Sequence, residues 1–328
     1  MTLKTYILIG VVSLGTCSGA AAFDIEAHRG GRALRPENTL EAFAHALSMG
    51  VNTLELDTGV TRDRILIVSH DRRPNPDLVR DPGGSYVLAP GVPFVDLTLA
   101  QVQRYDVGQI RPGSPYAAQF PDQQVVPNAR IPTLAEVFAL VRRSGDSNVR
   151  LNIETKISPE HRDETVAPEE FVRLLLALVR QENFSDRVTI QSFDWRTLRL
   201  VQQQAPEIPT VYLSQEGGTG PTITPGKPSP WTAGFDPKDH GGSVPRTVKA
   251  AGGKIWSPFH LDVDAARIRE AHDLGLQVVV WTVNKSEDMT RLIDLGVDGI
   301  ISDRPDLLRE VARARGLALP TAAPASLP

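Results

Sequence analysis

Cysteine is all but missing from this chain. The single instance, Cys17, lies near the amino terminus, so no internal disulfide can form and stability must come from packing and from any bound metal. An excess of positive charge is also missing. The formal net charge is −4 at pH 7 and no long basic tract occurs, so nothing supports a nucleic-acid partner. No glycine turn of the GxGxxG type follows the first apolar strand, which argues against an open doubly wound dinucleotide fold. No apolar run reaches the about 20 residues of a membrane span. The run YILIGVVSLG, from Tyr6, comes nearest.

That run has the features of an export leader. Lys4 precedes it, small residues follow, and Ala20-Ala21-Ala22 closes it. Cleavage is expected after Ala22, leaving Phe23 as the new terminus, a mature chain without a stable membrane span and a periplasmic or secreted location. An uncleaved anchor is the alternative. A lipoprotein site at Cys17 is a further one, disfavoured because Thr16 is bulkier than the small residue such sites usually carry.

The rest of the chain has an ordinary globular composition, 41% hydrophobic and 23% charged. Phe23 to Ala27 reads as a strand. Leu40, Phe43, Ala44 and Leu47 repeat at helical spacing until Gly50. Val51 to Asp57 reads as a second strand, with Ile65 to Ser69 paired to it as a hairpin. Residues 72–130, rich in Pro, Gly, Asp and Gln, read as an irregular insertion, and a loop of that length is usually functional. From Thr133 onward helices and strands alternate, ending in a helix from Pro305 to Arg315. The strands number eight, which is the count of a closed (β/α)8 TIM barrel spanning residues 23–316. Residues 317–328 read as a disordered tail.

The polar residues that break the apolar pattern recur at strand ends, where barrel enzymes place their chemistry. Glu55 and Asp57 share one strand face because side chains alternate. Two carboxylates about 5 Å apart at an effective dielectric of 20 repel by roughly 3 kcal/mol. Glu154, ending the next strand, adds to this. One divalent cation would compensate, and an all-oxygen donor set suits Mg²⁺ or Ca²⁺ better than Zn²⁺. Ion pairing with Arg29 and Lys156 is the alternative, and both can hold together. His28 and His70 bracket this acidic strand and could divide acid and base roles at a phosphodiester. His45, His161, His240, His260 and His272 lack such a setting. Arg29 sits in a glycine turn that lets backbone approach an anion, and Lys156 falls on the face of Glu154. Both are candidates for holding phosphate. Gln191, Phe193 and Trp281 end strands near the site and could line it, with core packing the alternative for the two rings. Asn38 reads as a helix cap and Glu37 as a first-turn acid, with support to the site the alternative for both, and Asp303 reads as the cap of the last helix.

Taken together these residues resemble the glycerophosphodiester phosphodiesterase family. The pieces are HRGG at His28, RPENT at Arg35, ELD at Glu55, SHD at Ser69, NIETK at Asn152, QSFD at Gln191, WTVN at Trp281 and DGIISDRP at Asp298. They run in the family's order across nearly the whole mature chain. The resemblance implies a TIM barrel with an insertion after the second strand. It implies hydrolysis of small-molecule glycerophosphodiesters to glycerol 3-phosphate and an alcohol. It makes His28 and His70 the acid/base pair, Glu55, Asp57 and Glu154 the metal ligands, and Arg29 and Lys156 the phosphate holders. Arg64 departs from the family's usual glycine in the turn after Asp63, and Thr58-Gly59 replaces bulkier residues. Rival readings are a phospholipase D-like action on lysolipids or sphingolipids, and a non-catalytic barrel that binds a phosphorylated ligand.

Overall fold

Strand alternation decides the architecture. In Leu54-Glu55-Leu56-Asp57 the leucines turn toward a layer of helices and the acids toward the opposite side. The same pattern recurs in strand after strand, and the sheet that results closes on itself. The computed structural model describes residues 23–327 apart from 219 and 225. The expected leader therefore lies outside the described residues. In chain order the elements are β1 (Asp24–Ala27), α1 (Leu40–Met49), β2 (Thr53–Val60), β3 (Leu66–Val68), α2 (Leu99–Val102), α3 (Leu134–Arg143), β4 (Arg150–Thr155), α4 (Pro168–Gln181), β5 (Val188–Ser192), α5 (Trp195–Gln204), β6 (Thr210–Ser214), α6 (Val244–Ala250), β7 (Ile255–Pro258), α7 (Ala265–Asp273), β8 (Gln277–Val280), α8 (Ser286–Leu295), β9 (Gly299–Ser302) and α9 (Pro305–Ala314).

Eight of these strands are parallel staves in the order β1-β9-β8-β7-β6-β5-β4-β2, and β2 pairs back to β1 to close the barrel. β3 is extra, an antiparallel partner to the end of β2. Helices start where the sequence marks them. Thr133 caps α3 through a full capping box with Glu136, and Pro168 and Pro305 sit at the first turns of α4 and α9. The main core lies between staves and helices, with Leu54, Leu56, Ile153, Phe43, Phe138 and Phe171 fully buried.

The barrel interior is divided. On the β1, β2, β4 and β5 side it is polar, and a chain of amides crosses it. Asn152 donates to Glu26 and to Gln191, and Gln191 donates to Glu55. On the β6 to β9 side it is apolar, filled by Val211, Ile255, Val279 and Ile301.

The hairpin and insertion place two loops over the carboxyl ends of the staves. Arg64 occupies the hairpin turn with φ at +66°, the conformation for which glycine is the unstrained choice. Its side chain pairs with Glu170 on α4. Residues 72–130 contain only α2 and short 3-10 turns. Their Phe94, Leu97 and Val102 pack with Ile67 of β3 and with Ile131.

The tail departs from its sequence expectation. Residues 317–327 carry no helix or strand, yet they are packed against the barrel. The Ala323 N–H donates to the Leu47 carbonyl in the last turn of α1, which also accepts from the Gly50 N–H. Arg309 reaches the carbonyls of Gly50 and Pro320, and Ala323 is buried. The Ala323 backbone bond, arginine side chains on tail carbonyls and the packing of Leu317, Leu319 and Ala325, none visible to composition, hold this segment.

Candidate active site

The site begins at the end of β1, where the chain turns sharply through His28–Gly30. Arg29 adopts a left-handed conformation with φ at +51°. A Cβ on Gly30 would lie 2.8 Å from the Ala42 Cβ, so only glycine allows the turn to press against α1. Asn38 is also left-handed, and its N–H donates to the Arg29 carbonyl. Non-glycine residues held in this region cost of order 1 kcal/mol or more and cluster at functional sites. The turn aims the Arg29 N–H at Glu55 Oε2, 2.8 Å away. It sends the guanidinium toward Asp57 and Glu37, at 3.2 and 2.7 Å.

The three acids expected to converge do so. Asp57 on β2 is the register partner of Glu154 on β4. One oxygen from each of Glu55, Asp57 and Glu154 falls within 4.8 Å of the others, and all three residues are buried. Lys156 Nζ lies 2.8 Å from Glu154 and 3.7 Å from Asp57. The ion-pair alternative and the cluster thus coexist.

Burial pushes the Glu55 carboxyl well above its usual range, helped by the charges of Asp57 and Glu154. Glu154 is pushed up to about 7, again by burial first, with Lys156 opposing and Asp57 reinforcing. Burial would raise Asp57 too, but Arg29, His70 and Lys156 together hold it well below the usual carboxylate range. Three buried acids with only part of their charge balanced are a donor set suited to a hard divalent cation. The residues present fit such an ion.

Both expected histidines face this cluster. His28 Nε2 lies 3.9 Å from Glu55 Oε2. Its Nδ1 lies 2.5 Å from Asp303 Oδ1. Burial lowers the imidazole to about 4, despite the opposing charge of Asp303. His70 is half-buried, with Nδ1 3.1 Å from Asp71. Desolvation is the main cause lowering its pKa, with Arg29 and Lys156 adding to it. A cavity of about 140 Å³ joins both rings to Arg29, Lys156, Glu55 and Glu154, and Gln191, Phe193 and Trp281 line it as well. Phe193 and Trp281 meet edge to face with centroids 5.3 Å apart. They are half-buried and form part of the wall. Gln191 also holds Glu55, through a 2.6 Å bond.

The residues of the cavity lie within one recognisable sequence block. The model of the glycerophosphoryl diester phosphodiesterase family matches residues 28–307.

The chain belongs to the glycerophosphoryl diester phosphodiesterase family.

Relatives and solved structures agree with this placement in the family. A glycerophosphodiester phosphodiesterase of Caldanaerobacter subterraneus is 30% identical over 290 residues, 88% of this chain and 98% of the relative. A Silicibacter pomeroyi protein assigned as a glycerophosphoryl diester phosphodiesterase is 35% identical in its crystal structure. It aligns with a TM-score of 0.81 over 91% of this chain and 95% of its own. An Oleispira antarctica phosphodiesterase, solved with the product sn-glycerol-3-phosphate, shares the fold at 19% identity. Its TM-score is 0.65, over 89% of this chain and 97% of that one.

Three residues read from the sequence as caps or first-turn groups stand at the site itself. Asp303 is no helix cap, since α9 is preceded by Arg304. Its carboxylate instead meets His28, Arg32 at 2.7 Å and Asn284 at 2.7 Å. The signal was available: strand alternation from Gly299 through Ile301 turns Asp303 inward. Glu37 is not a first-turn acid, because α1 begins at Leu40 behind the Thr39 cap. It is half-buried and bonds to Arg29 and Tyr116, the supporting role that is its alternative reading. Asn38 donates to Asp57 at 3.0 Å and so supports the acid cluster rather than capping α1.

Proposed function

We propose that this chain hydrolyses glycerophosphodiesters to glycerol 3-phosphate and an alcohol, with His28 and His70 as acid and base beside a divalent metal. One observation carries the reading: both imidazoles, Glu55 and Glu154 of the buried carboxylate triad, and the cationic Arg29 and Lys156 border a single cavity at the carboxyl ends of the staves.

Glu55, Asp57 and Glu154 would hold the ion, Mg²⁺ or Ca²⁺ by donor chemistry. When bound, it supplies positive charge against the phosphoryl oxygens and lowers the pKa of an adjacent hydroxyl. Arg29 and Lys156 take the non-bridging phosphate oxygens, and a guanidinium can bind two of them.

Asp303 stays ionised, since Arg32 and His28 outweigh burial and hold its carboxyl well below the usual range. It therefore fixes the proton of neutral His28 on Nδ1 and leaves Nε2 free to accept one from the attacking hydroxyl. That hydroxyl belongs either to water or to the substrate itself, in which case water then opens the cyclic phosphate to glycerol 3-phosphate. His70 is tethered through Nδ1 to Asp71, so its Nε2 can serve the leaving oxygen. An anionic phosphodiester beside His70 raises its pKa toward the protonated form that a general acid needs. Leu213, Ile301, Phe193 and Trp281 provide an apolar wall for the carbon skeleton of the glycerol arm.

Export is part of the proposal. The mature protein recovered from outside the cytoplasm is expected to begin at Phe23.

The test is turnover of a panel of glycerophosphodiesters, read as release of glycerol 3-phosphate. Activity is expected with Mg²⁺ or Ca²⁺ and not with a chelator. No release from any diester under any metal condition would overturn the function.

A further inference from the structure

The inner cavity described above is not the whole site. At His70 and Lys156 it adjoins a second chamber of about 400 Å³, within the size range of pockets that take small organic ligands. The two chambers share these two residues. If phosphate sits at that junction, as the proposed function requires, one ester arm points inward and the other points into the outer chamber.

The outer chamber is chemically unlike the inner one. One wall is the start of the insertion, from His70 through Pro76. Lys156 and Glu164 complete its polar lining, and no aromatic side chain other than the His70 imidazole lines it. Its carboxylates are already engaged. Glu164 accepts from Arg72 at 2.7 Å and from Arg73 at 2.9 Å. Asp71 accepts from Asn75 at 2.7 Å and meets His70. Lys156 is engaged with Glu154. The guanidinium groups are less fully used. Among the described residues Arg72 bonds to protein through Nε alone, and Arg73 through Nε and Nη1. Glu164 thus fixes both side chains while their remaining N–H groups stay available to a ligand. With two arginines and a lysine against two carboxylates, the wall is a net donor of positive charge and hydrogen bonds.

A quaternary ammonium group wants the opposite, a free carboxylate or a cage of aromatic faces. A polyhydroxylated alcohol wants fixed donors, and pre-set guanidinium groups supply them at little ordering cost. We propose that the outer chamber receives the leaving alcohol and selects a polyol, such as glycerol or inositol, over a quaternary ammonium alcohol such as choline. This rests on the proposed function and adds the class of its head group.

The deciding measurement compares kcat/KM for glycerophosphoinositol, glycerophosphoglycerol and glycerophosphocholine on the metal-loaded full-length enzyme. The polyol esters are expected to lead by about tenfold or more, the scale of one well-placed hydrogen bond to a charged group. Arg72→Ala and Arg73→Ala are each expected to shrink that ratio by about threefold or more. Inhibition of the unaltered enzyme by free inositol, glycerol and choline gives the same ranking without any variant, with the polyols inhibiting at lower concentration. Equal or better use of the choline ester, a ratio unmoved in both variants, or choline as the strongest inhibitor overturns the inference and leaves the hydrolytic function standing. No turnover of any diester would instead remove the function on which it rests.

Discussion

The imidazole of His28 and the carboxylate of Asp303 lie 2.5 Å apart although 275 residues separate them in the chain. The first and last staves of the barrel are neighbours, so closure of the sheet is what brings them together. Asp303 is held in turn by the Asn284 amide and its own N–H bond to Asn284. Asp303→Asn is expected to lower kcat by about a hundredfold through loss of the Nδ1–H tautomer. The pH profile distinguishes this from a packing defect. Removing the carboxylate takes away the group that raises the His28 pKa, so the acidic limb is expected to move to lower pH.

A second expectation concerns the metal. Glu55→Gln, Asp57→Asn and Glu154→Gln each remove one charged oxygen from the cluster. Titration calorimetry with Mg²⁺ and with Ca²⁺ is expected to show affinity falling by about tenfold or more in each variant, since hard cations are held mainly by carboxylate charge. The unaltered protein is expected to gain thermal stability as the ion is added, because the ion binds only the folded chain.

The floor of the barrel supplies a pH test far from the reaction. Burial, with Asp24 reinforcing, pushes Glu26 up to about 8. Its folded pKa lies above the unfolded value, so its contribution to stability is complete below about pH 4.5 and is lost as pH rises through about 8. Glu26→Gln keeps the shape without the charge. Denaturant melts are expected to find the variant more stable than the parent at pH 8, on the order of 4 kcal/mol, and the advantage gone at pH 4.

The tail offers a purely structural check. Removing residues 317–328 frees the Leu47 carbonyl and the Arg309 guanidinium from their partners in the tail. A loss of about 1–2 kcal/mol is expected in denaturant melts, with KM unchanged because these contacts lie away from the catalytic cavity.

Much of this arrangement was legible in the sequence because it is periodic. Alternation in Leu54-Glu55-Leu56-Asp57 put both acids on one face, and the last helix, expected from Pro305 to Arg315, runs Pro305–Ala314. What stayed hidden has no period. The Glu37 contact with Tyr116 joins the approach to α1 to the insertion, two irregular segments. Asp303 follows a strand and precedes a helix, so a cap and an inward-facing acid look alike until the barrel is closed. The tail is ordered by the Ala323 backbone bond, two arginine contacts and apolar packing that no composition records. Phe193 and Trp281 could pack or line, and in the cavity wall they do both.

The most direct measurement is glycerol 3-phosphate release by His28→Ala and by His70→Ala, each with the metal that supports the unaltered enzyme. Turnover is expected to fall by about a thousandfold or more in both, the scale on which removal of an acid or base acts. Turnover unchanged in either variant would contradict the assignment of that imidazole to the reaction.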